Sequence, residues 1–292
     1  MSDAIRVGLV GFGYASKTFH APLIGGTPGM ALKAVASSDA DKVHADWPGV
    51  KVMSAPGDLL DDPDIDLVVI ATPNDTHFPL AKAALEAGKH VVVDKPFTVT
   101  LSQARELESL AKHCGRILSV FHNRRWDSDF LTVSALINEG QLGEVCYFES
   151  HFDRFRPQVR QRWREQAGPG SGIWYDLAPH LLDQVVVLFG LPVSITVDLA
   201  QLRPGAQSTD YFHAVLAYPQ RRVVLHGTLL AAAESARFIV HGSRASYIKY
   251  GLDPQEERLK NGERLPQEDW GYDMRDGTLT RAEGDERSQE KW

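Results

Sequence analysis

The chain has 292 residues, 43% hydrophobic and 24% charged, a mix that suits two modest folded domains and excludes a disordered chain. Its formal net charge of −7 argues against a nucleic-acid face as its main business. The two cysteines, Cys114 and Cys146, show no metal-like pairing with histidine, no window approaches a membrane span, and Met1-Ser2-Asp3-Ala4-Ile5 has no basic, apolar leader. A soluble cytoplasmic protein with no metal, nucleic-acid or membrane partner is the expectation, and few cysteines suit a reducing cytosol.

Ile5–Val10 reads as a buried strand, followed at once by Gly11-Phe12-Gly13-Tyr14-Ala15-Ser16. Glycines at 11 and 13 match a dinucleotide fingerprint, with Ser16 where the third glycine would stand. The first glycine permits a tight turn, the second lets backbone approach a pyrophosphate, and Tyr14 and Ala15 open a helix whose positive end faces the phosphates. A second strand, Leu32–Ala36, runs into Ser37-Ser38-Asp39, where an acidic side chain would accept from a ribose hydroxyl and repel a 2′-phosphate. Two hydroxyls with Lys42 nearby favour NADP, whereas Asp39 keeps NAD open.

Leu67–Ile70 is a further strand, and Thr72, Pro73, Asn74 and His77 follow its carboxyl end, where open α/β sheets bind ligands. Thr72 and Asn74 are assigned to the cofactor. Thr76 is read as a cap for a helix over Phe78–Ala87, and His77 is read equally as structural or cofactor-facing. Val91-Val92-Val93 is another buried strand, stopped by Asp94-Lys95-Pro96. Lys95 is thereby left at a strand's carboxyl end as a catalytic cation, at the seam of a dinucleotide-binding and a substrate-binding half. An amphipathic helix, Leu101–Cys114, then leads to a strand over Ile117–Val120 and to Phe121-His122-Asn123-Arg124-Arg125-Trp126. Asn123 and Arg124 read either as solvated polar groups or as donors to a polyol and to anionic cofactor groups.

Beyond this point strands follow one another with few helices: Val145–Arg154, Ile195–Ala200, Phe212–Tyr218, Arg222–Leu230, Arg237–His241 and Ser246–Tyr250. The fold class is thus α/β, with a doubly wound parallel sheet over 1–122 and an α+β domain with an open, largely antiparallel sheet over 123–292. Between the helix Asp129–Glu139 and the later strands lies Ile173–Phe189, on which Asp176, His180 and Asp183 share a face. The pair Asp176 and His180 reads either as a surface ion pair or as a general acid/base oriented by a carboxylate. The arginine-dense stretch Arg154–Arg164, with Arg156 and Trp163, suggests a lip of donors around a polar substrate, and Gly168–Gly172 a hinge or lid.

Gly11-Phe12-Gly13, Thr72-Pro73-Asn74, Asp94-Lys95-Pro96 and Asp176-x-x-x-His180 arrive in the order found in the glucose–fructose oxidoreductase / inositol dehydrogenase (Gfo/Idh/MocA) family, which the chain resembles. The usual Glu-Lys-Pro stands here as Asp94-Lys95-Pro96. Ser119–Asp127 and Arg162-Trp163-Arg164-Glu165 look like the NADP-dependent scyllo-inositol dehydrogenase branch. The resemblance implies a Rossmann domain, a cis Lys95–Pro96 bond, and Lys95, Asp176 and His180 as the catalytic three. It implies hydride transfer between NADP (or NAD) and a secondary hydroxyl of a cyclic polyol or sugar, in a homodimer or homotetramer joined through the open sheet face. A non-catalytic nucleotide sensor and a reductase of another carbonyl or imine are the alternatives. Members of the family usually end with a further strand and a helix returning to the nucleotide-binding half. Here the chain runs out in the polar Glu286–Trp292, so that element is expected to be missing.

Overall fold

A computed structural model describes residues 4–292, so the absence of a leader read at Met1–Asp3 lies outside the described residues. Two compact units result: residues up to Phe121 together with Gln255–Trp270, and His122–Pro254 together with Gly271–Trp292. No helix among the described residues is long and apolar enough to cross a membrane.

In the first unit six parallel strands, β1 (Ile5–Val10), β2 (Met30–Ala36), β3 (Lys51–Met53), β4 (Leu67–Ile70), β5 (His90–Val93) and β6 (Leu118–Val120), lie in the order β3-β2-β1-β4-β5-β6. Chain direction reverses its progress across the sheet beside β1, which opens a crevice at the strands' carboxyl ends. The strands are apolar on both faces because helices cover both: Val7, Leu9, Val68, Ile70, Val91 and Val93 are all buried. The covering helices are α1 (Ala21–Gly26), α2 (Ala40–Asp46), α3 (Pro56–Leu60), α4 (Asn74–Glu86) and α5 (Leu101–Cys114). Thr100 caps α5 by accepting from the Gln103 N–H at 3.3 Å, and Gly115 ends it. The buried stripe of α5 centres on Leu107 and Ala111, whereas Leu101, expected on that stripe, is exposed. The short strand β3 and helix α3 have too few residues to show a period, and sequence patterning passed over them.

The second unit carries α6 (Ser128–Asn138), β7 (Val145–His151), α7 (Gly172–Phe189), β8 (Ser194–Ala200), β9 (Tyr211–Ala217), β10 (Arg222–Thr228), β11 (Ala236–Gly242) and β12 (Ala245–Tyr250). With the late hairpin β13 (Thr278–Glu283) and β14 (Glu286–Lys291) they form an eight-stranded sheet ordered β14-β13-β12-β11-β7-β10-β9-β8. All pairs are antiparallel except β7 with β10. One face packs α6 and α7 through Phe148, Phe212, Leu216, Phe238, Leu177 and Leu181. The other face carries polar and half-buried side chains, as strand alternation requires.

Two features of the tail correct the sequence reading. The polar run Glu286–Trp292 supplies an edge strand, whose side chains face solvent and so show no alternation. The stretch Gln255–Trp270, expected in the second domain, belongs to the first unit through α8 (Gln255–Lys260). Leu259 is buried there, and the Tyr14 hydroxyl donates to Glu256 at 2.9 Å.

Candidate active site

One group of candidate residues lies at the carboxyl edge of the parallel sheet. Gly11 leaves β1 with φ +87°, and its N–H donates to the Ala36 carbonyl of β2 at 2.9 Å. A Cβ at Gly11 would stand 2.9 Å from the Ala71 carbonyl oxygen and 3.0 Å from Thr72 Cγ2, so both conformation and contact demand glycine. Gly13 is different. It has an ordinary backbone conformation, and a Cβ there would meet nothing within 4 Å. That open approach to main chain, at the start of a helix, is what a pyrophosphate needs. Ser16, in the third-glycine position, is wholly buried within a wide π-type turn, Ser16–His20, that precedes α1. The hydroxyl of Tyr14 is committed to Glu256, while the residue itself stays exposed beside Ala15.

Beyond β2, Ser37 Oγ accepts from the Asp39 N–H and donates to the Asp39 carbonyl, both at 3.2 Å, and the exposed Asp39 caps α2, its carboxylate accepting from the Lys42 N–H at 3.0 Å. Ser38 is exposed. After β4, helix α4 begins at Asn74, four residues ahead of the expected start. Thr76 is therefore inside its first turn: its hydroxyl donates to the Pro73 carbonyl at 2.7 Å and lies 2.6 Å from Thr72 Oγ1. Asn74 is buried at this edge. His77, offered as a cofactor ligand, is instead 1% exposed, with Nδ1 2.9 Å from the Pro96 carbonyl and Nε2 2.9 Å from the Thr72 carbonyl. The imidazole thus pins the turn after β4 to the turn after β5 and has no nitrogen left for a ligand.

That second turn holds Lys95. Asp94 is buried; its Oδ1 accepts from the Lys95 N–H at 2.7 Å and its Oδ2 lies 3.5 Å from His20 Nε2. Burial pushes the Asp94 carboxyl up, but His20 and the Lys95 charge outweigh it and hold the group below the usual carboxylate range. The Lys95–Pro96 peptide is cis. A hollow also opens at the opposite, amino ends of these strands, lined by Ile5, Arg6, Asp66, His90, Val92 and Ile117, and no candidate site residue lines it.

A second group of candidate residues is on α7 of the other unit. Ser171 precedes the helix, and Gly172, with φ +83°, sits so close to Thr209 that a Cβ would stand 2.8 Å from its N and O atoms. The Ile173 N–H donates to the Thr209 carbonyl at 2.8 Å. The end of the supposed hinge at Gly168–Gly172 is therefore a fixed docking point. Asp176 and His180 follow one turn apart; His180 is buried and Asp176 half-buried, 3.7 Å from Arg164 Nε. Asp183, their neighbour on the face, is taken by Arg125, which donates to both carboxylate oxygens at 2.7 and 2.6 Å.

The arginine-dense stretch divides in two. Arg162 donates to Glu165 at 2.7 Å, and Glu165 also pairs with Arg203 at 3.0 Å. Arg203, which sequence reasoning missed, is fully buried; it donates to Asp210 at 3.0 Å and to the carbonyls of Arg156 and Gln158 at 3.0 and 3.1 Å, fastening the loop. Its only sequence signal was a charge amid a turn-like stretch. Arg156 is half-buried. Burial, then the like charges of Arg154, Arg160 and Arg162, pull its guanidinium below the ordinary range, against the attraction of Asp176. Arg164 stacks 4.8 Å over the part-exposed Trp163. Arg124, offered as a cofactor ligand, is buried, donates to Asp127 at 3.2 Å and lies over Phe152. Asn123, beside it, is half-buried.

A doubly wound sheet with an open glycine turn and a lysine at its ligand edge defines a dinucleotide-binding oxidoreductase class of protein. Residues 5–122 match the profile described as the oxidoreductase family's NAD-binding Rossmann fold, and residues 134–291 its C-terminal alpha/beta domain. The chain belongs to the Gfo/Idh/MocA oxidoreductase family. It is 81% identical over 290 residues to the uncharacterized oxidoreductase YdgJ of Escherichia coli, covering 99% of this chain and 84% of that one. It is 37% identical over 290 residues to scyllo-inositol 2-dehydrogenase (NADP(+)) IolW of Bacillus subtilis, covering 99% and 81%. A solved Yersinia pestis protein, 68% identical, superposes with a TM-score of 0.95 over 100% of this chain and 82% of its own.

Proposed function

We propose that the protein is an NADP-dependent dehydrogenase acting on a secondary hydroxyl of a cyclic polyol or sugar of the scyllo-inositol kind. The observation that carries the reading is Lys95, held at the carboxyl edge of β5 on the same sheet edge as the open Gly13 turn. A bound nicotinamide supplies the hydride acceptor; the chain's own groups bind, orient and move the proton. Lys95 donates to the reacting oxygen and stabilises its developing charge. His180 takes the hydroxyl proton, and Asp176 orients the imidazole. Arg156, Trp163 and Asn123 hold the other hydroxyls of the ring. Main chain at Gly13, Tyr14 and Ala15, with Thr72, Pro73 and Asn74, receives the dinucleotide. With Asp39 engaged as the cap of α2, Ser37 and Ser38 would receive a 2′-phosphate, which favours NADP. The likeness to IolW supports both the cofactor and the substrate class.

We read the compartment as the cytoplasm and the assembly as a homodimer or homotetramer through the open sheet face. Inositols and sugars assayed by cofactor absorbance, with NADP and NAD separately, test the reading. Turnover with an inositol and NADP is expected, falling at least roughly a hundredfold in Lys95→Ala. Near-normal turnover in that variant, or a strong NAD preference, would overturn the corresponding part.

A further inference from the structure

The open face of the second sheet carries a cluster that the oxidoreductase reading does not use. Strand alternation sends Glu149, His151 and Asp153 to one side, with Phe148, Ser150 and Phe152 buried on the other. Parallel pairing sets His226 of β10 opposite His151 of β7, and antiparallel pairing sets His213 of β9 opposite His226. The register therefore lines up histidines from three adjacent strands. His151 Nδ1 stands 2.9 Å from Asp153 Oδ2, and His226 Nε2 stands 3.6 Å from Asp153 Oδ1. One ligand atom from each of His151, Asp153 and His226 falls within 4.8 Å of the other two. Nitrogen and oxygen ligands at about 2.0–2.1 Å from a tetrahedral ion stand roughly 3.4 Å apart, so the cluster is close to size without rearrangement.

Two further observations point to a cation. Asp153 Oδ1 is buried and accepts no hydrogen bond. Its nearest cationic candidate is His226 Nε2 at 3.6 Å, outside hydrogen-bond reach, so this buried oxygen faces a partner that is charged only when protonated. The second is the outer support of His151: its Nε2 lies 2.6 Å from Glu149 Oε1, and Glu149 is itself held by the Tyr147 hydroxyl. A carboxylate receiving the far N–H of an imidazole fixes the tautomer and leaves the near nitrogen's lone pair for a metal, the arrangement that supports metal-bound histidines generally. With Nε2–H given to Glu149, Nδ1 faces Asp153 Oδ2 lone pair to lone pair, a repulsion that a cation between them removes. The side chains of His151, Asp153 and His226 are 17%, 8% and 17% exposed in the single chain, so the position is sheltered even before any assembly through this face.

We propose that His151, Asp153 and His226 form a site for a divalent transition ion of the zinc class, with Glu149 as outer support for His151. Two imidazoles and a carboxylate suit zinc or cobalt better than magnesium or calcium, which take all-oxygen shells. Three protein ligands leave one coordination position open to water or an exogenous group. The sequence reading looked for cysteine–histidine spacing and so passed over ligands drawn from strands far apart in the chain.

The test uses the full chain without a histidine tag, dialysed against chelator and titrated with Co²⁺. One equivalent per chain is expected, with visible d–d absorption of tetrahedral intensity that Zn²⁺ abolishes. His151→Ala and His226→Ala should each lose saturable binding, while Glu149→Gln should weaken it by roughly ten- to a hundredfold. His241→Ala, on the same face but outside the cluster, should bind as the parent does. Circular dichroism of each variant without metal separates lost ligation from lost fold. If a variant does not fold, His226→Gln, which keeps bulk and polarity, replaces it. Absence of binding by the parent, with His151 held instead as an imidazolium between its two carboxylates, would overturn the proposal. Equal stoichiometry in both histidine variants, or loss of binding in His241→Ala, would overturn it as well. None of these readouts depends on dehydrogenase activity, so failure here leaves the catalytic reading untouched.

Discussion

Gly11 and Gly13 are two residues apart, yet alanine at each should fail for a different reason. At Gly11 the side chain would have to adopt φ +87°. That left-handed conformation costs an L-residue about 1–2 kcal/mol. Its Cβ would also press on a main-chain oxygen at 2.9 Å, which cannot swing away as a flexible side chain would. Overpacking of this kind adds about 1–3 kcal/mol, so Gly11→Ala should lose roughly 2–5 kcal/mol of stability in urea denaturation. Gly13 has neither problem, since no atom lies within 4 Å of its notional Cβ. Gly13→Ala should therefore unfold at the urea midpoint of the parent. Its methyl group would nonetheless stand where the pyrophosphate approaches main chain, and cofactor affinity, measured by NADPH fluorescence titration, should fall at least tenfold. A Gly13→Ala protein that is normal in stability and also binds NADPH like the parent would refute the assignment of this turn to the cofactor.

Replacing Arg237 by Met should cost about 3–5 kcal/mol, because its guanidinium is buried with Asp129 at 3.4 Å and the carboxylate would be left without that compensation; urea melts measure it. Arg203→Ala should free the loop around Arg156–Glu165 and expose it to limited proteolysis while both sheets persist. Hydrogen bonds from Arg6 hold the Asp66 carboxyl down at about 2, below its unfolded value of 3.8. Stability from this pair is therefore complete above about pH 4 and is lost as pH falls toward 2. Both side chains are more than a third exposed, so the loss should be small, and Asp66→Asn should flatten that part of the acid stability curve. Ser38→Asp should shift preference from NADP toward NAD, read as the ratio of kcat/KM for the two cofactors.

The parallel sheet was legible because most of its strands are short apolar runs, and each run so read became a strand within two residues of its expected bounds. The late hairpin was not, since all of β14 is exposed and solvent selects no period there. At the candidate site, residue types marked the right edges but not the job of each side chain. Asp94-Lys95-Pro96 and Gly11-x-Gly13 stand on the ligand edge of the sheet, as their chemistry suggested. His77, Arg124 and Tyr14 carry the same kinds of polar atoms but spend them on Pro96, Asp127 and Glu256 respectively. Such partners are distant in sequence or fixed by burial, and a linear pattern does not reveal which donors are already consumed. Arg203 and Asp210 were silent for the same reason.

The return of Gln255–Trp270 to the first unit has a consequence for the order in which the chain is made. On the ribosome the nucleotide-binding half emerges first, yet the surface that Leu259 and Leu265 cover stays bare until β7 through β12 have been synthesised. Gly26, whose notional Cβ would touch Leu265 at 2.6 Å, and Tyr14, which waits for Glu256, mark where that late piece closes. The first half is thus finished by amino acids added after most of the second sheet, and a nascent chain released before them would carry an incomplete nucleotide-binding half.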